Sequence, residues 1–362
     1  MEINSILSKA QKLTFLTREE AMFLYKNAAL SDLIYLANEI RYLHHPQKQV
    51  TWIIDRNVNI TNACVVQCKF CNFHCKPNSN EVYITSIEEY RSKIDELIKI
   101  GGDQLLLQGG LHPKLGLSYY EDLFSSLKVI YPKLKLHALG PPEIHFLARK
   151  AKISISETLA RLTKSGLDSL PGAGAEILSD RVRSFLSKAK CSADEWINVM
   201  REAHKINLPT SATMMFGHYE TEEERIEHLL KIRDLQAEKP PDSFGFLSFI
   251  PWPFQDKNTV LKQELGITNT ISASEYVRFI AISRILLPNI KNIQASWLTV
   301  GVNVGQICLH AGANDFGSIM IEENVVSSAG ADYSLDKTGI QKAIIEAGFV
   351  PTRRNQKFEI IE

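Results

Sequence analysis

The stretch VTWIIDRNVNITNACVVQCKFC (residues 50–71) decides the fold that this sequence is expected to adopt. Its first half is rich in β-branched and aromatic residues, which favour a buried strand. Its second half is a loop that carries Cys64, Cys68 and Cys71 at spacings of four and three, and Cys75 follows four residues later. Thiols gathered directly after a strand predict a metal or cluster site at the end of that strand.

From this strand onward, strand-like runs alternate with amphipathic helical stretches. The later predicted strands are DQLLLQGG (103–110), LKLHAL (134–139), LDSL (167–170), LPTSATMMFG (208–217), SFGFLSFIP (243–251) and NIQASWL (292–298). A last unit contains a helix near 301–309, the segment GANDFGS (312–318) and a tail helix near 336–347. Roughly eight such units predict an α/β fold, a TIM-like (β/α)8 barrel, with a doubly wound open sheet as the alternative.

The first 48 residues predict helices that precede the barrel. Thr17 and Glu20 have the spacing of a capping box, and residues 31–42 keep apolar side chains near helical spacing. We therefore expect an N-terminal helical segment over residues 1–48 packed on the barrel. The barrel with a C-terminal extension would occupy residues 49–362.

Composition argues against several classes of partner. Of 362 residues, 41 are Lys or Arg and 41 are Asp or Glu, so no charge excess favours a nucleic acid or an anionic membrane. The N-terminal residues lack the apolar core of a secretory signal, and no run of about 18 apolar residues is present to span a bilayer. The expected location is the cytoplasm, where six cysteines do not indicate a disulfide framework.

The cysteine loop suits an iron–sulfur cluster. Three thiolates on one short loop can hold three irons of a four-iron cluster, which leaves one iron open to a small molecule that carries an amine and a carboxylate. Structural zinc is one alternative, although it usually takes two separated cysteine pairs. A ferredoxin-like carrier with Cys75 as the fourth ligand is another, although the first gap is one residue too long for the bacterial pattern. We expect Cys75 to be a nearby free thiol.

Polar and glycine-rich segments recur where the predicted strands end. The turn Gln108-Gly109-Gly110 allows close backbone approach to a ligand, and His112 follows it. In SLPGAGAEI (169–177), Glu176 is placed to bind ribose hydroxyls or to act as a helix N-terminal acid, and Arg181 follows. The strand over 208–217 brings two candidates for the cavity mouth, Thr213 and His218.

Aromatic and polar residues end the last predicted strands. Trp252 and Phe254 lie between prolines in FIPWPFQ (249–255) and offer flat apolar walls for an aromatic substrate, with a hydrophobic plug as the alternative. Polar groups expected opposite them are Gln294, Ser296, Asn314 and Asp315. One carboxylate of the pair Glu322 and Glu323 could act as a base. The predicted catalytic residues are Asp315, His218 and Glu322.

The spacing C-x3-C-x2-C followed by an aromatic residue resembles the signature of the radical S-adenosylmethionine (SAM) superfamily. From about residue 50 to the end, the chain also resembles one family within it, the cyclic dehypoxanthinyl futalosine synthases of the futalosine route to menaquinone. The segments that carry this resemblance are NITNACVVQCKFCNF, LLLQGGLHPKLGLSYYEDLF, HALGPPEIH, SLPGAGAEIL, TSATMMFGHYET, FIPWPFQ, NIQASWLT and GANDFGSIMIEENVV. The sequence departs from the usual pattern at PGAGAE, where PGGGAE is commoner, at Val300, where glutamine is usual, and at His74-Cys75, which replaces an aromatic–arginine pair.

The resemblance implies a [4Fe–4S] cluster ligated by Cys64, Cys68 and Cys71, with SAM on the open iron. It also implies a set of cofactor contacts: Phe70 against the adenine, Phe73 through its backbone, Gln108, Gly109, Gly110, Glu176, Arg181 and Thr213. The predicted substrate contacts are His112, Trp252, Phe254, Gln294, Ser296 and Asn314.

The implied reaction begins with hydrogen abstraction from C4′ of the ribose of dehypoxanthine futalosine and ends with ring closure onto the attached benzoate. An electron donor such as flavodoxin or ferredoxin would be a partner. Aminofutalosine synthase is the alternative enzyme, and an iron–sulfur electron carrier is an alternative of a different class.

Overall fold

A computed structural model describes residues 2–322, 324, 327–330 and 333–361, and within these it contains a closed ring of eight parallel strand positions. The strands are β1 (Gln49–Ile53), β2 (Asp55–Asn59), β3 (Gln104–Gln108), β4 (Lys135–Ala138), β5 (Thr210–Phe216), β6 (Phe246–Pro253), β7 (Asn292–Ile293), β8 (Asp315–Ser318) and β9 (Val350–Arg353). β1 and β2 follow each other with only Ile54 between them and form the first position of the ring.

Ladders and single bridges together close the ring. β2, β3 and β4 pair in that order, as do β5, β6 and β7. Between these two groups, residues 169–170 bridge to both sides through the pairs His137↔Ser169 and Leu170↔Thr210. The pair Gln294↔Asp315 joins β7 to β8, and β8 pairs with β1. All these pairings are parallel, so the predicted barrel is confirmed and the open sheet is not formed.

Helices occupy the intervals between strands, as a barrel requires. They are α1 (Ile3–Gln11), α2 (Arg18–Asn27), α3 (Leu30–His44), α4 (Ile87–Lys99), α5 (Leu117–Ile130), α6 (Pro141–Ala151), α7 (Ile155–Ser165), α8 (Asp180–Leu186), α9 (Ala193–Lys205), α10 (Glu222–Glu238), α11 (Val260–Leu265), α12 (Ala273–Leu286), α13 (Trp297–Val300), α14 (Val302–His310) and α15 (Lys337–Glu346). No helix among the described residues is long and apolar enough to cross a membrane.

Helix starts follow side-chain signals that are visible in the sequence. The capping box expected at Thr17 is formed at α2, with Glu20 completing it. Equivalent boxes begin α4 at Ser86, α9 at Ser192 and α10 at Thr221. Each box satisfies two backbone N–H groups that a helix N-terminus would otherwise leave unpaired.

The N-terminal helices contact the barrel helices. α3 packs against α12, and α2 packs against α10. Tyr25 on α2 bonds to both barrel helices, because its hydroxyl donates to the Glu275 carboxylate on α12 and accepts from the Arg225 guanidinium on α10 at 3.4 Å. Residues 3–44 thereby cover one side of the barrel as a helical layer.

The C-terminal segment closes the amino-terminal end of the barrel. β9 pairs with β1 over Gln49 to Trp52, the first half of the first strand position. Beyond β9, the side chain of Gln356 accepts a hydrogen bond of 3.0 Å from Gln104, the first residue of β3. Arg354, Gln356 and Phe358 therefore form a floor beneath the barrel lumen, and the sequence had given no sign of it.

Several predicted elements differ in extent from the observed ones. The expected strand over 50–61 is divided at Ile54, and LDSL forms bridges at Ser169 and Leu170 rather than a full strand. The two prolines of GPPE (140–143) occupy the first turn of α6, where their missing N–H groups cost nothing. β9, α11 and α13 were not predicted, because each is too short for its periodicity to stand out.

One buried arginine joins the last strands to α12. Arg284 has no exposed surface and donates to the carbonyl oxygens of Gly312 and Lys291, both at 2.8 Å, and to Oδ1 of Asn314 at 2.7 Å. Burial, and secondarily the charge of Arg41, lowers the pKa of Arg284 to about 9. No carboxylate of the described residues pairs with it, so its charge is balanced by carbonyl dipoles.

Replacing Arg284 with methionine should lower the free energy of unfolding by about 3 kcal/mol or more, since three buried acceptors lose their donor. Urea unfolding followed by circular dichroism measures this. The matched control is Arg201→Met, because Arg201 is 37% exposed in its pair with Glu238 and such pairs contribute less than about 1 kcal/mol. Equal losses of unfolding free energy in the two variants would contradict a stabilising role of the buried Arg284 hydrogen bonds.

Candidate active site

A cavity of about 340 Å³ occupies the barrel lumen between the cysteine loop and the C-terminal floor. Its lining residues come from every strand position of the ring. They include Asp55, Asn57, Phe70, Gln108, His137, Glu176, Thr213, Trp252, Phe254, Gln294, Ser296, Trp297, Ser318, Arg354 and Gln356. A site with both polar and aromatic walls is typical of a small-molecule pocket.

Backbone hydrogen bonds hold the cysteine loop at the end of β2. The N–H of Cys64 donates to the carbonyl of Cys75 at 3.0 Å, and the N–H of Cys75 donates to the carbonyl of Asn62 at 2.9 Å. Between them, a tight turn brings the N–H of Cys71 to 3.1 Å from the carbonyl of Cys68. Cys64 is buried and the other three thiols are partly buried. Burial raises the pKa of the Cys68 thiol to about 11, although the neighbouring Lys190 charge acts in the opposite direction.

The glycine turn after β3 fits directly against this loop. The N–H of Gly110 donates to the carbonyl of Thr61 at 2.8 Å, and the N–H of Val65 donates to the carbonyl of Leu111 at 3.1 Å. A Cβ atom at Gly110 would lie 2.2 Å from the carbonyl oxygen of Ala63. Any side chain there would push the two segments apart, so glycine is required for the contact.

The thiol arrangement fits a cluster better than a single ion. Throughout the described part of the chain, no three His, Cys, Asp or Glu side chains are arranged to hold one metal ion. The zinc alternative needs four ligands around one point. Cluster thiolates bind different irons and need not converge. Three thiols on a loop pinned by backbone bonds are therefore the donor set that a cluster with one open iron needs.

A buried ion pair next to the loop was not predicted. Lys190 Nζ lies 2.8 Å from a carboxylate oxygen of Glu176, and Arg183 lies 3.7 Å from the other oxygen. Burial has the largest single effect on the pKa of Lys190 and lowers it. The charges of Glu176 and Cys68 and the hydrogen bond to Glu176 together outweigh it, so the pKa is raised and Lys190 is a cation. Its Nζ is also 5.4 Å from the ring centroid of Phe70. Lys190 lies in an irregular loop where no spacing pattern marks it, which is why sequence reasoning missed it.

A second missed residue supports the glycine turn. Glu143, at the start of α6, is buried, and its Oε1 accepts a hydrogen bond of 3.3 Å from the N–H of Gly109. Burial raises the pKa of Glu143 to about 8, against weaker effects of the backbone N–H groups of Gly140 and Gly109. The carboxyl group thereby links α6 to the turn on the cysteine loop.

Three aromatic side chains, Trp252, Phe254 and Trp297, form what we call the aromatic wall of the cavity. The wall is fixed by polar contacts behind it, since the Ser296 hydroxyl donates to the carbonyl of Pro251 at 2.8 Å and the Ser296 N–H donates to the Tyr276 hydroxyl at 2.9 Å. The edge of Phe254 meets the His218 ring at a centroid distance of 5.9 Å.

Eight of the predicted site residues line the cavity. They are Phe70, Gln108, Glu176, Thr213, Trp252, Phe254, Gln294 and Ser296. Their side chains come from six different βα ends, so the barrel brings them together as the topology required. Glu176 has a positive φ of 40° and lies in a turn before α8. It is therefore not an acid in the first turn of a helix, which was the alternative interpretation. The roles assigned to these residues remain predictions.

Six predicted residues are not among the described residues that line the cavity, and each is bonded elsewhere. Asp315 has no exposed surface and is held by Arg354 at 2.6 Å and by the Thr51 hydroxyl at 2.5 Å. The Oδ1 atom of Asn314 accepts a hydrogen bond of 2.7 Å from Arg284. His218 donates from Nε2 to the carbonyl of Met215 at 3.1 Å.

The other three have equally local partners. His112 accepts at Nδ1 from the N–H groups of Lys114 and Leu115, at 3.1 Å and 3.3 Å, and so closes its own turn. Arg181 pairs with Glu224 at the surface, at 2.6 Å. Glu322 pairs with Arg56 at 2.7 Å and also contacts Lys93. Sequence position at a βα end did not reveal that these charges and rings already had partners.

The remaining predicted residues lie around the loop. Gly109 and Gly110 form the turn that packs on it, and Phe73 is a partly buried residue two positions after Cys71. None of these three is among the described residues that line the cavity. Glu323, the other candidate base, lies outside the described residues.

Two family models match the chain. The Radical SAM superfamily matches residues 58–232, and the CofH/MqnC C-terminal region matches residues 243–362. The first match contains the cysteine loop, the glycine turn and Glu176. The second contains the aromatic wall and the C-terminal floor.

Curated relatives cover nearly the whole chain. The cyclic dehypoxanthine futalosine synthase of Halalkalibacterium halodurans is 40% identical over 361 residues, which is 100% of this chain and 95% of that protein. The protein of the same name from Streptomyces coelicolor is 40% identical over 99% of this chain and 88% of its own length. The 5-amino-6-(D-ribitylamino)uracil–L-tyrosine 4-hydroxyphenyl transferase 1 of Methanosarcina acetivorans is 36% identical over 96% of this chain and 91% of its own length.

Solved structures share the fold. Methylornithine synthase has a TM-score of 0.72 at 19% identity and is matched over 97% of this chain and 98% of its own. The [FeFe]-hydrogenase maturase HydG has a TM-score of 0.76 at 15% identity, over 97% of this chain and 76% of its own. At these identities the likeness concerns the barrel alone.

Cys75→Ala should keep the iron and sulfide content of the anaerobically reconstituted protein, because Cys75 contributes its backbone, not its thiol, to the loop contacts described above. Cys68→Ala should lose most of it, since three ligands become two. Iron and sulfide analysis with absorption spectroscopy measures both, and Cys308→Ala, a buried cysteine of α14, is the control. Equal losses in the Cys75 and Cys68 variants would favour four thiolate ligands.

Glu143→Gln should flatten the dependence of stability on pH. Between its ordinary pKa of 4.5 and its folded pKa of about 8, the native state binds more protons than the unfolded state, so stability falls as pH rises. The expected slope is about 1.4 kcal/mol per pH unit in that window. Melting temperatures at pH 5 and pH 8 test this against the exposed control Glu264→Gln. Parallel profiles for the wild type and Glu143→Gln would refute it.

Proposed function

Because the chain belongs to the radical SAM superfamily, in the family of the cyclic dehypoxanthine futalosine synthases, we propose that it converts dehypoxanthine futalosine to cyclic dehypoxanthinyl futalosine in menaquinone biosynthesis. The observation that carries this proposal is the 40% identity to two curated synthases over essentially the full chain. The aromatic wall supports it, since the proposed substrate contains an aryl ring.

Members of the superfamily use a [4Fe–4S] cluster and SAM, which together supply a 5′-deoxyadenosyl radical. In this chain Cys64, Cys68 and Cys71 would hold the cluster. The glycine turn on the cysteine loop, with Phe70 and Glu176 on the adjoining cavity wall, would hold SAM. Lys190 supplies a cation beside Glu176, where it can hold that carboxylate in place.

The protein's own contribution to the reaction is orientation and exclusion of water. The C4′ carbon of the substrate ribose must lie about 3–3.5 Å from the radical carbon for hydrogen transfer. The aryl ring must at the same time stay in reach of C4′ for ring closure. A lumen closed below by Arg354, Gln356 and Phe358, with the aromatic wall on one side, restrains both ends of such a substrate.

An electron donor is needed for the proposed reaction, because reductive cleavage of SAM consumes one electron. Ring closure onto the aryl ring then releases one electron and one proton as aromaticity is restored, so the electron taken up at the start is given back. We assign the role of electron donor to a flavodoxin or ferredoxin in the cytoplasm. The aminofutalosine synthase alternative differs in chemistry, since there the radical adds to the substrate and the adenosyl group stays in the product. The electron-carrier alternative predicts no cleavage of SAM.

Product analysis distinguishes these functions. Reconstituted protein, reduced under anaerobic conditions with SAM, should convert dehypoxanthine futalosine to a product two mass units lighter and release about one equivalent of 5′-deoxyadenosine per turnover. Mass spectrometry measures both products. Parallel reactions receive the aminofutalosine synthase substrate, or tyrosine with 5-amino-6-(D-ribitylamino)uracil. Turnover of either of these in place of dehypoxanthine futalosine would overturn the proposal.

A further inference from the structure

Opposite the aromatic wall, three polar side chains line the cavity. Asp55 and Asn57 point inward from alternate positions of β2, and His137 points inward from β4. We call these three residues the polar wall. All are buried, with exposures of 8%, 4% and 7% respectively. The proposed reaction has so far given them no role.

Asn57 has an unsatisfied acceptor. Its Oδ1 is buried and finds no hydrogen-bond donor in the described part of the chain, although the side chain lines an open cavity. A buried polar atom without a partner is destabilising, so such atoms usually serve a ligand or a water. Because the atom is an acceptor, the missing partner is a donor.

Asp55 adds further acceptors to the same wall. Its carboxyl group receives a hydrogen bond from the Ser318 hydroxyl and one of 3.2 Å from the Gln104 amide. A carboxyl group has room for more donors than these two. Burial raises the pKa of Asp55, an effect that its hydrogen bonds and the Arg354 charge oppose.

His137 is a neutral member of the wall. Gln356 donates from its amide nitrogen to Nε2 of His137 at 3.4 Å, and Nδ1 donates to the Ser169 hydroxyl at 2.7 Å. Burial, and secondarily the charge of Arg354, lowers the pKa of His137 to about 3. Both ring nitrogens of His137 are thus occupied, so the free acceptors of the wall are Asn57 Oδ1 and the Asp55 carboxyl group. The nearby Arg354 is paired with Asp315.

The two ends of the proposed substrate differ in hydrogen-bonding chemistry. The sugar carries hydroxyl groups, which donate. The benzoate carboxylate and the ketone carry acceptors alone and would face Asn57 Oδ1 and Asp55 unfavourably. From these contacts we propose that the polar wall binds the sugar hydroxyls of the substrate while the aromatic wall holds its aryl ring. This inference rests on the proposed function and deepens it.

The height of the polar wall in the barrel agrees with this orientation. Asn57 pairs with Leu106, two residues before Gln108 at the end of β3. Two residues of strand correspond to roughly 7 Å. A sugar bound at Asn57 thus lies just below the glycine turn and the cofactor side of the cavity, where its C4′ hydrogen has to be. The reversed orientation would place the aryl ring there.

Binding measurements without reductant test the orientation, since no turnover then occurs. We expect Asn57→Leu to weaken the binding of dehypoxanthine futalosine about tenfold, the effect of losing one good hydrogen bond. It should leave the binding of 3-acetylbenzoate, an aryl fragment without the sugar, unchanged. Trp252→Ala should weaken both ligands. Isothermal titration calorimetry gives the dissociation constants, and Asn57→Asp, which keeps an acceptor, is the matched control and should bind within about threefold of the wild type.

A ligand series provides a second test that does not depend on the folding of the leucine variant. A substrate analogue without sugar hydroxyls should bind the wild-type protein about tenfold more weakly than the substrate. In Asn57→Leu, removal of those hydroxyls should have little further effect, because the partner is already gone. Additive losses in this cycle would overturn the inference, as would unchanged substrate binding by Asn57→Leu.

SAM also carries ribose hydroxyls, so its affinity is measured on the same variants. Weaker SAM binding with unchanged substrate binding in Asn57→Leu would assign the wall to the cofactor and overturn the inference. The proposed function fails separately. If the wild-type protein forms no cyclic product, that function is contradicted. If the wild-type protein turns over and Asn57→Leu binds dehypoxanthine futalosine as tightly as the wild type does, only the orientation is contradicted.

Discussion

The contact between the glycine turn and the cysteine loop is the constraint on which the rest of the site depends. Gly110 approaches Ala63 so closely that a Cβ atom would be 2.2 Å from its carbonyl oxygen. That approach joins the ends of the first two strand positions, and Glu143 holds the turn from the other side through Gly109. The position of the three thiols relative to the lumen follows from it, since backbone bonds leave the loop little freedom.

Buried charges are arranged in pairs around the lumen, which keeps the cavity close to neutral. Glu176 is paired with Lys190, and Asp315 is paired with Arg354. A buried charge without a partner costs several kcal/mol, so these pairs keep ionised groups next to a cavity that must exclude water. The remaining inward-facing groups are polar on one side and aromatic on the other, which gives an elongated ligand with two unlike ends a single preferred direction.

The sequence revealed the barrel and the cofactor loop because both depend on local patterns. The alternation of strand-like and helical segments and the cysteine spacing of four and three are readable in one dimension. Capping boxes such as that of Thr17 and Glu20 fixed helix starts for the same reason. Eight candidate residues at strand ends also reached the cavity, because a parallel barrel carries all its strand ends to one rim.

The tertiary structure decided which polar residues already had partners. Asp315, His218 and Glu322 lie near strand ends like the residues that line the cavity. Their side chains are nevertheless already bonded, to Arg354, Met215 and Arg56 respectively. Arg354 and Arg56 lie 39 and 266 positions away along the chain, and long-range pairing leaves no periodic signal. The partner of His218 is a backbone carbonyl three positions away, which no side-chain pattern marks. The polar wall and the floor arise in the same way. By itself the sequence determined the fold and its thiol chemistry through local spacing, whereas the inner surface of the site was decided by contacts that only folding brings together.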